Sequence, residues 1–152
     1  MTRWLLCTLA ALFTIAAGAQ EVDKAEVVDD PFLQVTDALP SCPRQEQTKI
    51  TPAQRKAEAH WRAERGTSCY QSGRCRLPNA YLYDQEIIPR VKKAILADGR
   101  FANTSIWVEG QRRWVWIKGC VASQEQAVHI EQLVRNIDDV EAVINALTVL
   151  PP

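Results

Sequence analysis

The sequence predicts an α+β fold for its C-terminal half, an αββαβ sandwich in which two helices cover one face of a three-stranded mixed sheet. Three patterns predict it: apolar stripes at helical spacing in residues 84–98 and 123–137, alternating side chains in residues 105–121, and a second alternation in residues 143–149. Each helix has one apolar face, so the simplest burial places both helices on the same side of the sheet. The crossover into the last strand is expected to be right-handed.

The first helix begins at Asp84, a residue typical of helix N-caps. Its buried stripe contains Ile87, Val91 and Ile95, together with Ala94 and Ile88. Pro89 falls within the first two turns, where it predicts a local distortion rather than the end of the helix.

The middle of this half predicts two strands, 105–109 and 114–121, joined by a turn at 110–113. The second strand is apolar on both sides, and the pleat assigns alternate residues to opposite faces. The face away from the helices, called the second face, is expected to carry these side chains: Trp107, Glu109, Trp114, Trp116, Lys118, Cys120, Ile144, Ala146, Thr148 and Leu150. Such a face is too apolar to stand in water without a reason.

The second helix begins at a capping box formed by Ser123 and Gln126. One side of it is apolar, with Ala127, Ile130, Leu133, Val134 and Ile137. The last strand then alternates Val143, Asn145, Leu147 and Val149.

The first 19 residues read as a cleaved signal peptide. Arg3 supplies a positive start, residues 4–17 are apolar, and Ala17-Gly18-Ala19 is a small-x-small cleavage site. An uncleaved membrane anchor is the weaker reading, because a bilayer span needs about 20 apolar residues. Cleavage after Ala19 predicts an exported protein, and residues 20–41 then form a flexible acidic leader.

Residues 42–82 form a basic extension before the αββαβ domain at 83–152. Thr51, Pro52 and Gln54 predict the capped start of a helix that ends near Gly66. The apolar stripe of this helix is thin, so it must be docked, with Trp61 as its anchor.

Four cysteines remain after cleavage, and an even number in an exported chain predicts two disulfides. They are Cys42, Cys69, Cys75 and Cys120, which allow three pairings. The first choice is Cys69–Cys75 with Cys42–Cys120, since it closes one short loop and ties the extension to the sheet. Zinc is the competing reading, but the chain has neither a C-x-x-C pair nor closely spaced histidines.

No set of residues predicts catalysis. The serines lack a nucleophile-elbow context, the carboxylates are scattered, and no glycine-rich loop is placed to hold a phosphate. We therefore expect no enzyme activity, no cofactor and no metal. The basic extension suggests nucleic acid, but export to the envelope argues against such a partner.

Residues 84–150 resemble a BON domain, a family named for osmotically inducible periplasmic and nodulation proteins. The first helix matches its D-x-x-I-x-x-x-V spacing, the middle strand its V-x-L-x-G-x-V, and the end its V-x-x-V-x-N-x-L-x-V rhythm. The matching residues are Asp84, Ile87, Val91, Val115, Ile117, Gly119, Val121, Ser123, Val140, Val143, Asn145, Leu147 and Val149. The chain departs from the family in a longer segment between Gly110 and Gly119, and in Asp139, where glycine is common.

The resemblance implies a non-enzymatic, periplasmic envelope protein that binds phospholipid surfaces or other envelope components, with peripheral membrane association. Arg112, Arg113 and Lys118, beside the tryptophans, favour anionic headgroups. The alternative is a protein–protein adaptor in a periplasmic or secretion assembly, because small αββαβ units also build rings there.

Three interpretations of the second face compete. The first is that residues 42–75 cover it, because a disulfide through Cys120 holds that segment nearby. The second is a surface for lipid or protein, formed by Trp107, Trp114, Trp116, Arg112, Arg113 and Lys118. The third is a homodimer contact, which leaves the oligomeric state open.

Overall fold

The structure is a computed structural model that describes residues 26–27 and 30–150. Its strands are β1 (Glu26–Val27), β2 (Phe32–Asp37), β3 (Lys49–Ile50), β4 (Ser105–Gln111), β5 (Trp114–Val121) and β6 (Ala142–Val149). Its α-helices are α1 (Pro52–Glu64), α2 (Thr67–Gln71), α3 (Asp84–Ala97) and α4 (Gln124–Arg135). The expected signal peptide and its cleavage site lie outside the described residues.

The main sheet has the order β2-β4-β5-β6. β4 pairs antiparallel with both β2 and β5, whereas β5 and β6 run parallel in an unbroken register. The mixed sheet and the αββαβ order of residues 84–149 are therefore as predicted, but the three-stranded expectation is wrong because β2 adds a fourth strand. β1 and β3 form a separate two-stranded ribbon.

β2 comes from the segment that was expected to be a flexible acidic leader. Leu33 and Val35 pack against the core, and Val35 is only 8% exposed. A bulge between Gln34 and Thr36 shifts the register with β4. Burial of these alternate apolar side chains explains why residues 32–37 are a strand despite their acidic surroundings.

The core lies between the sheet and the two long helices. α3 buries Ile87, Ile88, Val91 and Ile95, and it runs through Pro89 without ending. α4 buries Ala127, Ile130 and Val134 on its predicted side. The sheet contributes Ile106, Val108, Val115, Ile117 and Val121, all fully buried.

The extension begins with the helix that the capping box predicted. Thr51 Oγ1 accepts from Gln54 N–H at 3.2 Å, and Gln54 Oε1 accepts from Thr51 N–H at 2.8 Å. Gly66 follows α1 with φ +95°, a conformation that favours glycine. The extension was expected to be helical and stapled by disulfides. In detail, the Cys69–Cys75 bridge closes a short loop that starts within α2, Cys42 bonds to Cys120 of the sheet, and neither bridge includes a residue of α1.

Candidate functional site

The second face of the sheet is covered in part by residues 38–50, which we call the covering segment. Leu39 N–H donates to Ser105 Oγ at 2.8 Å, and Thr48 N–H donates to Glu109 Oε1 at 3.1 Å. Beneath this segment Trp107 is only 4% exposed. Backbone from residues 38–50, which spans the end of the leader and the start of the extension, therefore covers the middle of the second face, and α1 does not.

The structure brings the four cysteines together as two bridges, Cys42–Cys120 and Cys69–Cys75. Cys42 lies at the start of the covering segment and Cys120 near the end of β5, with 5.7 Å between their Cα atoms. This bridge spans 78 positions of sequence, whereas the other spans 6. The longer bridge fixes the covering segment on the second face.

An ion pair lies under the covering segment on the second face. Lys118 Nζ donates to Glu109 Oε2, and the side chain of Glu109 is 4% exposed. Lys118 also reaches the backbone oxygen of Glu46 at 3.4 Å. Because its charge is met inside the molecule, Lys118 does not project toward a partner.

The hairpin tip between β4 and β5 is a two-residue turn, shorter than the predicted turn at 110–113 because β4 extends to Gln111. Both turn residues have positive φ, +53° for Arg112 and +70° for Arg113. Non-glycine residues seldom adopt this conformation. The turn must therefore be held by contacts elsewhere.

Asp84 makes those contacts. Its carboxylate accepts from the backbone N–H of Arg112 at 2.6 Å and of Arg113 at 2.7 Å. The predicted role of Asp84 as a helix N-cap is wrong, since it is the first residue of α3 and its side chain turns to the hairpin. Burial raises the pKa of Asp84 to about 7, although the two backbone N–H groups act in the opposite direction.

The Arg112 side chain stacks between two tryptophans. Its guanidinium carbon lies 4.0 Å from the Trp114 ring centroid and 5.1 Å from that of Trp61. Trp61 therefore anchors α1 as expected, but against the hairpin tip and Tyr81 rather than flat on the second face. Within the described residues, Arg112 Nε and Trp114 Nε1 are buried without an acceptor.

A buried carboxylate that the sequence analysis missed connects α1 to the same hairpin. Asp30 accepts two hydrogen bonds from the Arg62 guanidinium, at 3.0 and 2.9 Å, and one from Gln111 Nε2 at 2.9 Å. Arg62 also stacks on Tyr81, 4.5 Å from the ring centroid. Asp30 is one of several acids in residues 20–41, and nothing in the sequence around it indicates that it binds Arg62.

Arg113 faces the opposite side of the hairpin. It stacks on Tyr83 at 5.0 Å, and its Nε donates to the backbone oxygen of Asp139 at 2.7 Å. Asp139, at a position where the family that this region resembles commonly has glycine, has φ +72°. Its carboxylate is paired with Arg90 at 3.0 Å and Arg76 at 3.2 Å. These contacts hold the left-handed backbone that glycine adopts freely.

A cavity of about 280 Å³ lies where the extension meets the domain. Arg65, Arg113 and Glu141 line it, along with Tyr83 and the Cys69–Cys75 bridge. Arg65 and Glu141 face each other across the seam at 3.6 Å. The cavity has two cationic side chains and one anionic side chain, so its walls carry a net formal charge of +1.

The structure separates the six predicted surface residues into two groups. Trp107 and Lys118 are occupied within the molecule, as described above. The other four remain half-buried at or beside the hairpin tip: Arg112, Arg113, Trp114 and Trp116.

Among the residues described, no group of three or more His, Cys, Asp or Glu side chains is placed to hold a metal ion. No helix within 30–150 is both long and apolar enough to cross a membrane.

Comparison with known proteins identifies the C-terminal half. A family model described as the BON domain matches residues 83–151, which include α3, β4, β5, α4 and β6. No curated protein matches the chain. The first 82 residues lie outside the family match. The chain therefore contains one BON domain, at residues 83–151, preceded by an extension that lies outside it.

Proposed function

We propose that this protein is a non-enzymatic envelope protein whose BON domain attaches to anionic phospholipid surfaces through its hairpin tip. BON domains are associated with the binding of phospholipid and envelope components. The family assignment supports the class of function, and the hairpin tip supports its location. We call Arg112, Arg113, Trp114 and Trp116 the hairpin-tip surface, in which Arg113 lies on the other side of the hairpin from the remaining three.

The observation that carries the proposal is a pair of half-buried tryptophans beside an arginine. The ring centroids of Trp114 and Trp116 are 6.1 Å apart, and Arg112 lies on Trp114. Tryptophan favours membrane interfaces because its ring is large and apolar. The Nε1–H of Trp114 is buried, so the apolar ring is what this residue contributes. A basic residue near an anionic surface contributes about 1 kcal/mol. This combination suits the boundary between headgroups and acyl chains.

The proposed compartment is the periplasm. BON proteins are often envelope-associated, and two cysteine pairs at bonding distance favour an oxidising environment. The apolar N-terminal segment, with its small-x-small site at Ala17-Gly18-Ala19, supports export through a cleaved signal peptide.

A protein–protein adaptor is the second candidate, and the surface charge favours it. Several exposed arginines are already paired within the molecule: Arg76 with Glu86, Arg100 with Asp98, and Arg135 with Glu131. The whole chain has 18 basic and 18 acidic residues. Electrostatic attraction to an anionic membrane is therefore limited to local patches.

Vesicle flotation tests the lipid proposal. We expect the purified protein to float with vesicles that contain phosphatidylglycerol, and flotation should weaken as salt screens the charges. Arg112→Gln combined with Arg113→Gln should reduce flotation. The matched control, Arg44→Gln with Lys56→Gln, removes the same charge from exposed positions of the extension and should float like the wild type.

Flotation of the wild type no greater than that of a soluble protein would exclude the lipid proposal. Equal flotation by the hairpin-tip variant and the wild type would exclude the proposed surface. Circular dichroism of each variant shows whether the fold is retained. Crosslinking in the periplasm, followed by purification of this protein, tests the adaptor function. The adaptor function predicts that one envelope protein is captured by the wild type and not by the hairpin-tip variant.

A further inference from the structure

The two edges of the main sheet are built differently. β2 is six residues long, has a bulge and ends in a charged residue, Asp37. β6 is eight residues long and pairs with β5 without a bulge. Its sequence, AVINALTV, contains no charge, no proline and no glycine. Natural proteins normally protect exposed edges with charges, prolines or bulges, because a free edge can pair with another strand. β6 has none of these.

The outer edge of β6 lies open in the described structure. The strand packs against β5 on one side and α4 on one face, and no other described helix or strand runs along it. Leu147 N–H is met by the side-chain oxygen of Asn145 at 3.2 Å. The Asn145 side chain thus occupies one N–H of the open edge, and a pairing strand replaces that contact with its own carbonyl oxygen.

We infer that β6 pairs with β6 of a second copy of this chain, antiparallel and around a two-fold axis. In such an interface each residue near the axis approaches its own symmetry mate, so any charge there meets a like charge. β6 has no charged residue, so no such repulsion arises anywhere along it. A strand of different sequence gains selectivity from charge pairs, and β6 offers none.

The side chains beside the edge favour the same pairing. On the second face, Ala146 and Thr148 are exposed and small, so they leave the approach open. Ile144 is half-buried next to Trp116 in the sheet register. Pairing two β6 strands makes the second face continuous between the copies and buries apolar surface on both.

Charge-swap variants of Ala146, one of the two middle residues of β6, test the inference. The wild type should show a monomer–dimer equilibrium in sedimentation velocity across a concentration series. Ala146→Lys and Ala146→Glu should each weaken association at least tenfold, because like charges then meet near the axis. An equimolar mixture of the two variants should restore the dimer. The matched control is Gln34→Lys, on the exposed side of β2, which should associate like the wild type.

A wild type that stays monomeric at the highest concentration overturns the inference. So does a dimer that neither substitution at Ala146 weakens, since it then forms through another surface. Thermal unfolding of each variant shows whether the fold is retained. If the Ala146 variants do not fold, Thr148→Lys and Thr148→Glu provide the same test from a second exposed position on the edge.

Discussion

The carboxylate of Asp84 holds the backbone of Arg112, 28 positions further along the chain. This contact joins the first residue of α3 to the tip of the β4–β5 hairpin, and Arg113 N–H binds the second carboxylate oxygen. The turn keeps two arginines in a backbone conformation that hairpins usually reserve for asparagine or glycine. One buried acid therefore holds both backbone N–H groups of the turn at the hairpin tip.

Replacing Asp84 should loosen the hairpin tip. Asp84→Ala leaves the N–H groups of Arg112 and Arg113 without their acceptors, and each unsatisfied buried donor costs about 1–3 kcal/mol. We expect a lower melting temperature in thermal unfolding at neutral pH. Asp138→Asn, at an exposed position, is the control and should melt like the wild type. Equal melting of the Asp84 variant and the control would show that the turn does not need the carboxylate.

The protonation of Asp84 should make stability depend on pH. Its pKa rises from 3.8 to about 7 in the folded state, chiefly because burial disfavours the charge. The folded protein thus holds this proton more tightly than the unfolded chain, so the contribution of Asp84 is complete below about pH 4 and is lost as pH rises through about 7. The slope within that window is at most about 1.4 kcal/mol per pH unit.

Urea unfolding of the wild type and Asp84→Asn between pH 4 and 8 measures this dependence. Subtracting the two curves removes the contributions that other acids make to both proteins. We expect the difference in unfolding free energy to change mainly between pH 4 and 7. A difference that stays constant over this range contradicts the buried titration.

The long disulfide should contribute more stability than the short one. Chain-entropy estimates for loops of these lengths are about 4–5 kcal/mol for Cys42–Cys120 and about 2 kcal/mol for Cys69–Cys75. Replacing each pair by alanine and comparing urea unfolding measures the two contributions. Non-reducing peptide mapping of the exported protein should find both bridges and no free thiol. A free Cys120 would remove the covalent attachment of the covering segment.

The Asp30–Arg62 pair should be costly to break from one side. Arg62→Met leaves the buried Asp30 carboxylate without its main partner, and breaking a buried pair in this way costs about 3–5 kcal/mol. The double variant Asp30→Leu with Arg62→Met should recover much of that loss, because no unpaired charge remains. Urea unfolding of the single and double variants gives the coupling. Equal destabilisation by the single and the double variant would show that the loss in Arg62→Met does not come from leaving the Asp30 carboxylate unpaired.

The elements predicted correctly from the sequence are those whose apolar pattern is local. α3, α4 and the strands β4 to β6 each repeat an apolar position at a fixed spacing, as Ile87, Val91 and Ile95 do in α3. β2 was missed because its short alternation of Leu33 and Val35 lies among acidic residues. Its partner β4 is also about 70 positions away, so no local turn indicates the pairing.

The site divides in the same way. The two apolar faces of β5 predicted that the second face needs a cover, and the cysteine count pointed to the extension as that cover. The ion pair between Glu109 and Lys118, and the role of Asp30, could not be predicted, because each partner has an ordinary sequence context. Asp84 carried a family signal at its position, but the pattern could not show that its side chain turns toward Arg112.

The Cys42–Cys120 bridge also determines what happens when the chain is cut. Every peptide bond between Cys42 and Cys120, including those of α1, α2, α3 and β4, lies inside the loop that this bridge closes. A protease that cleaves once in that region produces two fragments that stay covalently joined while the bridge is intact. Such a nicked molecule keeps its mass on a non-reducing gel and separates only when a reductant is added.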